Sequence, residues 1–349
     1  MKGTILFASS YLPPFCGGAE QVAWEIAKRV TDDFEVHIIT TGAGSRHVKE
    51  SVEVHSLRRL PLMTITYSSI MCKEVKKILK EVSPDIIHVH APMVLPWGYI
   101  FRDAGSIKMN TCHGWMLPWK PERFLVKSAL RKANVTTSPS RWLTKRIQDE
   151  YGQPTVTIPN GVDTGTFKPL IGVKRSDNVV LFVGRLRMAK GVLDLMEAAR
   201  ALPEYEFRFV GSAEHKSFGR MEIEISRLAN VKLVGFTSDR HAMAVHYNQA
   251  TICAFPSHRE NFPLVGLEAM ACGKSIVATR LGFSEYVENG REGLLVEPHD
   301  IKGLVKSIKY LMENEAEREE FEKNARKRAS VYEWETIAKE YKTLYERWL

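Results

Sequence analysis

Cysteine is scarce. The 349 residues hold five, Cys16, Cys72, Cys112, Cys253 and Cys272, with no Cys-x-x-Cys pair. An odd number at such wide spacing argues against a disulfide framework and against a structural zinc finger. Long apolar runs are missing as well. Met1–Ser10 is too short for a secretory leader and is followed by Pro13 and Pro14. No stretch approaches the roughly 18 apolar residues of a membrane span. The expectation is a reduced, cytoplasmic protein, at most peripheral at the inner face of the membrane. There is no low-complexity tract and no short repeat. The glycines form neither Gly-x-Gly-x-x-Gly nor a P-loop ending in Lys-Ser/Thr. A strong charge excess is also lacking: 49 Lys+Arg stand against 41 Asp+Glu, a net charge of +8. That balance permits an anionic partner without naming one.

What is present is ordinary globular material, 44% apolar and 26% charged, enough for two domains. Apolar runs at Gly3–Ala8, Glu35–Thr40, Val52–Leu57, Ile86–His90 and Lys108–Cys112 alternate with helical periodicity at Ala19–Val30, Ile70–Lys80, Pro121–Ala133 and Ser140–Tyr151. A second series runs from Val179–Val183 to Gly293–Val296 and ends in helices. Alternating strands and helices predict parallel sheets covered on both faces. The fold class is α/β: two doubly wound Rossmann-like domains facing a central cleft. Their spans are 1–165 and 166–330, with a last helix in 331–349. The polar stretch Thr164–Asn178 reads as the linker between them.

Ligands in open α/β sheets lie beyond the carboxyl ends of the strands, which directs attention to five places. Gly17-Gly18 opens the first helix, where paired glycines suit either an anion or a plain tight turn. His88 and His90 share one face at a strand end; metal binding is conceivable, and a hydrogen-bonded structural pair is the simpler reading. His113-Gly114 ends the next strand. Arg185 and Lys190, in the loop Gly184–Gly191, suit phosphate oxygens, or else a solvated basic loop. The run Ser257–Glu268 is the fullest constellation. Pro263 fits a first helical turn, its amides face Asn261 and Phe262, and Glu260 and Glu268 are acceptors suited to sugar hydroxyls. The alternative is an acidic helix start with Glu268 as a surface charge.

As an ordered set these motifs, with Ile158-Pro159-Asn160-Gly161-Val162-Asp163 between them, resemble the GT-B glycosyltransferases, and in particular the retaining family 4 (glycosyl transferases group 1). The resemblance runs nearly end to end. It implies that the first domain takes the acceptor and the second the sugar nucleotide. Arg185 and Lys190 would bind the donor diphosphate, Glu268 the ribose hydroxyls and Glu260 the hydroxyls of the donor sugar. Backbone amides near Phe262, Pro263, Leu264 and Val265 would meet phosphate and sugar. His113 would reach the donor sugar, and Gly17 and Gly18 would close over the phosphates. Glu260, His113, Arg185 and Lys190 are thus the implied catalytic residues. The family commonly has Gly where this chain has Asn261, which leaves the donor sugar open. The last helix typically crosses back onto the first domain, and Trp334, Ile337, Tyr341, Leu344 and Tyr345 have the spacing for that.

The implied reaction moves a hexose from a UDP- or GDP-linked donor to an acceptor hydroxyl on a glycan, a lipid-linked sugar or a small molecule, with retention. No Asp-x-Asp occurs, and neither a metal nor another cofactor is expected. Two alternatives stay open at this point: a GT-B sugar-nucleotide 2-epimerase, and a basic nucleic-acid-binding protein. The second lacks any aromatic-basic module, so no nucleic acid is expected as a partner. Basic helical faces at Lys73, Lys76, Lys77 and Lys80 and at Lys120–Lys132 could rest on anionic lipid, or be solvated. Residues 1–165 carry 21 Lys+Arg against 15 Asp+Glu, and the remainder 28 against 26. The surplus lies on the half expected to meet the acceptor.

Overall fold

A computed structural model describes residues 2–12, 17–42, 45–58, 65–90, 105–114, 127, 130–212 and 228–349. The chain divides into two compact units, Met1–Asn160 with Trp334–Leu349, and Gly161–Glu333.

The first unit contains β1 (Thr4–Ser9), α1 (Gly18–Ala27), β2 (Glu35–Gly42), β3 (Arg46–Lys49), β4 (Val52–Arg58), α2 (Ile65–Val82), β5 (Ile86–His90), β6 (Ile107–Thr111), β7 (Val135–Ser138), α3 (Arg141–Tyr151) and β8 (Thr155–Thr157). The sheet order is β3-β4-β2-β1-β5-β6-β7-β8. Every neighbouring pair is parallel except β3 with β4. The central strands are buried on both faces, which is why Ile5–Ala8 and Ile86–Val89 read as near-continuous apolar runs. Each large aliphatic or aromatic side chain so buried contributes about 1.5–3 kcal/mol. α1 begins on Gly17 and buries Val22, Ala23, Trp24 and Ile26. On α2, Val75 is buried while Lys73, Lys76, Lys77 and Lys80 are exposed in a basic face. The other basic segment, Lys120–Lys132, lies largely outside the described residues.

The second unit contains β9 (Val179–Val183), α4 (Val192–Ala201), β10 (Glu206–Val210), β11 (Val231–Gly235), α5 (Arg240–Gln249), β12 (Ile252–Phe255), α6 (Leu264–Ala271), β13 (Ile276–Thr279), β14 (Gly293–Val296), α7 (Ile301–Glu313) and α8 (Glu315–Ser330). Its parallel sheet has the order β11-β10-β9-β12-β13-β14, the 3-2-1-4-5-6 winding of a Rossmann sheet. The reading of Thr164–Asn178 as a linker is corrected here. Phe167 is fully buried, edge-on to Tyr247 at 5.9 Å, and the Leu170 amide donates to Asn248 Oδ1 at 2.9 Å. Polar spacing hid a segment that packs Phe167 and Leu170 against a core while Ile171 stays exposed.

The final helix, α9 (Trp334–Glu346), belongs to the first unit and buries Trp334, Ile337, Tyr341, Leu344 and Tyr345. Tyr345 reaches the strand-end histidines. His88 is held between Tyr345 Oη and Thr111 Oγ1, both at 2.7 Å, and His90 Nδ1 lies 2.9 Å from His113 Nε2. The pair is a hydrogen-bonded column, the simpler of its two readings.

Burial is the main cause that holds these rings neutral. It pushes His88 down to about 3 and His113 to about 4, with His90 also well below the ordinary histidine value. In the unfolded chain they protonate near pH 6.5. Between that value and the folded ones the unfolded state binds more protons, so stability falls as pH falls. Urea unfolding from pH 7 to 4.5 is expected to lose up to about 1.4 kcal/mol per pH unit for each histidine. His113→Gln should flatten the slope; an unchanged slope would contradict the assignment.

Candidate active site

In a 3-2-1-4-5-6 sheet the crossover direction reverses between the first and fourth strands, and the crevice beyond their carboxyl ends is the natural ligand site. Here those strands are β9 and β12. The loop Gly184–Gly191 leaves β9, and the loop Pro256–Pro263 leaves β12. The His258 amide donates to the Ala189 carbonyl at 2.9 Å, tying the loops together. Gly191 makes the approach possible. Its φ is +69°, and a Cβ there would lie 1.9 Å from the Pro256 carbonyl oxygen. Only glycine meets both conditions.

This contact sets the charges. Lys190 Nζ forms an ion pair with Glu260 Oε1, to which Ser257 Oγ also donates at 3.3 Å. Both partners keep partial access to solvent, 26% for Lys190 and 12% for Glu260. Arg185 and Arg187 extend from the same loop and are exposed. Burial first, and then the Arg185 guanidinium, draw Arg187 below the ordinary arginine value. The loop therefore presents three cations at one strand end, of which Arg187 was not singled out from the sequence.

The helix after the second loop begins one residue later than its proline suggested. Pro263 is the extended residue before α6 rather than part of its first turn, and no side chain caps that end. Its carbonyl accepts from Tyr286 Oη at 2.8 Å. Leu264, Val265 and Gly266 thus supply the first-turn amides, whose partial positive charge suits an anion. Phe262 is buried, its ring 4.9 Å from Tyr286 and 5.6 Å from Tyr332, so it anchors the loop. Asn261 is backed by Gly282, whose φ of +74° and missing side chain let it sit against the Asn261 backbone; a Cβ would come within 2.8 Å.

Glu268 sits half-buried on α6 and accepts from Tyr247 Oη at 3.0 Å. Burial first, then the Glu268 carboxylate, raises Tyr247 well above the ordinary tyrosine value; burial does the same for Tyr286, followed by Glu260. Both phenols therefore stay protonated as donors. Neither was found from the sequence, where Tyr247 and Tyr286 carry no motif. The structure brings Arg185, Lys190, Glu260, Asn261 and the α6 start onto two adjoining strand ends, with Glu268 further along α6. Gly17 and His113 lie in the first unit. The Gly17 amide donates to Glu20 Oε2 at 3.1 Å, a capping contact that fits a plain helix start, and Gly18 is the first residue of α1. The residues that precede Gly17 in its motif, 13–16, lie outside the described residues.

Residues 165–328 match the family described as Glycosyl transferases group 1, and residues 16–166 match Glycosyltransferase Family 4. An uncharacterized glycosyltransferase of Methanocaldococcus jannaschii is 26% identical over 98% of this chain and 97% of its own. A D-inositol 3-phosphate glycosyltransferase of Geodermatophilus obscurus is 31% identical over 72% of this chain and 64% of its own. Among solved structures, Anabaena Alr3699/HepE in complex with UDP and glucose superposes with a TM-score of 0.82 at 23% identity, over 99% of each chain. That last likeness establishes the shared GT-B fold.

If the Gly191–Pro256 approach organises the site, Gly191→Ala is expected to lower unfolding stability by at least about 2 kcal/mol, since the added methyl meets backbone and the φ is unfavourable. Urea denaturation measures it. A variant as stable as the parent would contradict the close approach.

Proposed function

The chain belongs to the group 1, family 4 glycosyltransferases, and from that premise we propose that it transfers a hexose from a UDP- or GDP-linked donor to an acceptor hydroxyl with retention. The observation that carries this reading is the Lys190–Glu260 ion pair at the switch point of the second sheet, beside a helix start with no side-chain cap. A diphosphate is drawn to Arg185, Lys190 and the amides of Leu264 and Val265. Lys190 then exchanges Glu260 for phosphate, which turns the Glu260 carboxylate toward the hydroxyls of the donor sugar. Glu268, oriented by Tyr247, accepts from the ribose.

In the transfer step the bond from the anomeric carbon to the leaving phosphate breaks and the bond to the acceptor oxygen forms on the same face. The acceptor proton passes to the departing phosphate. Cations and helix amides stabilise the charge growing on that phosphate, so this step needs neither a metal nor a covalent enzyme intermediate. The roles given to His113, Gly17 and Gly18 rest on the resemblance alone. The acceptor is taken to be anionic. The net surplus of six cations in residues 1–165, the exposed lysines of α2 and the inositol phosphate in a relative's name support this.

Steady-state assays with UDP- and GDP-sugars and a panel of anionic and neutral acceptors test the reading. Lys190→Ala and Glu260→Ala are each expected to lower kcat by about 10²–10³ while the protein stays folded. Parental turnover in either folded variant would refute the assigned roles.

A further inference from the structure

A second cluster of polar side chains lies in the first unit, outside every residue assigned to the transfer. β2 and β4 pair in parallel with His37 opposite Glu53, and His55 follows Glu53 by two residues, so all three side chains share one face of the sheet. His37 and His55 are 4% and 5% exposed, and Glu53 is half-buried. The three groups offer ligand atoms within 4.8 Å of one another. His37 Nδ1 lies 3.1 Å from His55 Nε2 and 3.4 Å from Glu53 Oε2. A tetrahedral ion with bonds of about 2.0–2.1 Å spaces its ligands roughly 3.3 Å apart.

The contacts around the cluster point the same way. On β2, Glu35 Oε1 accepts a hydrogen bond from His37 Nε2 at 3.0 Å. The other ring nitrogen, Nδ1, is turned toward His55 Nε2 and Glu53 Oε2. Two imidazole nitrogens and a carboxylate oxygen are the ligand types that zinc takes. His55 Nε2 lies against His37 Nδ1, so the three groups converge on one point. A carboxylate behind a metal-binding imidazole is the usual outer support of such a ligand. Arg46 holds the other oxygen of Glu53 and so orients it.

We propose that His37, Glu53 and His55 form a zinc site, with Glu35 and Arg46 as outer supports and water in the fourth position. The ion would clamp β2 to β4 next to the antiparallel strand β3. It takes no part in the transfer. A looser group in the second unit, Asp194, His258 and His299, serves as a control. There His299 is exposed and lies 3.9 Å from Asp194.

The test uses the full chain, stripped with a chelator and titrated with Zn²⁺, and with Co²⁺ for its visible spectrum. One tightly bound equivalent is expected, with tetrahedral Co²⁺ absorption and a higher Tm on Zn²⁺ binding. His55→Gln should lose that equivalent and His299→Ala should keep it. Glu35→Gln, a change at an exposed side chain that leaves the fold intact, should weaken binding by about 10- to 100-fold. The proposal is overturned if the parent binds no stoichiometric ion or if Glu35→Gln binds as tightly as the parent. It is equally overturned if His55→Gln retains the ion or if His299→Ala loses it.

Discussion

Gly191 carries no side chain, and the Pro256 carbonyl occupies the place where one would be. The loops leaving β9 and β12 can press together only because of that. Their contact carries Lys190 to Glu260 and joins the Ala189 carbonyl to the His258 amide. The rest of the second-unit site inherits its position from this contact: the cations on one loop, the carboxylate on the other, and α6 beginning where the second loop ends. A left-handed glycine costs conformational entropy on folding, and the return is placement of charge rather than stability.

The energetics of the ion pair support that view. Lys190 and Glu260 both keep partial access to solvent, so neither charge is locked in a dry interior. The pair is therefore cheap to exchange, which suits groups that must let go of each other to meet a substrate. The fixed parts are built otherwise. Tyr247 and Tyr286 are buried phenols kept protonated, and they hold Glu268 and the Pro263 carbonyl by hydrogen bonds with no partner to lose. In the first unit the same division recurs. His88 and His90 are buried and neutral, and the column they form with Tyr345 and Thr111 is a matter of structure.

Much of this was legible in the sequence, and what was not had a physical reason. Val179–Val183, Val192–Ala201 and Gly293–Val296 are apolar enough to fix their own bounds, and the structure keeps them unchanged. The Glu260–Glu268 spacing and the basic loop after β9 were visible because both abut such elements. β7 escaped notice because Val-Thr-Thr-Ser looks like a loop. Two of its hydroxyls find partners on neighbouring elements, Thr137 with Thr111 at 2.6 Å and Ser138 with Thr144 at 2.7 Å, which lowers the cost of burying a polar segment. β3 is a short, exposed edge strand with no apolar pattern to read. Thr164–Asn178 misled for the opposite reason, since buried Phe167 and backbone bonds to Asn248 anchor a segment that is otherwise polar. Tyr247 and Tyr286 act only through partners distant in sequence, which no local motif encodes.

The central claim is that Lys190 serves the diphosphate and Glu260 serves the sugar. Calorimetric binding of the nucleoside diphosphate and of the matching nucleotide sugar, to the parent and to each alanine variant, separates the two. The account predicts that Lys190→Ala weakens both ligands by about tenfold or more, as loss of a charged hydrogen bond would. Glu260→Ala should keep the affinity for the diphosphate and lose the preference for the sugar-bearing form. Variants that bind both ligands as the parent does, or that exchange these two signatures, would contradict it.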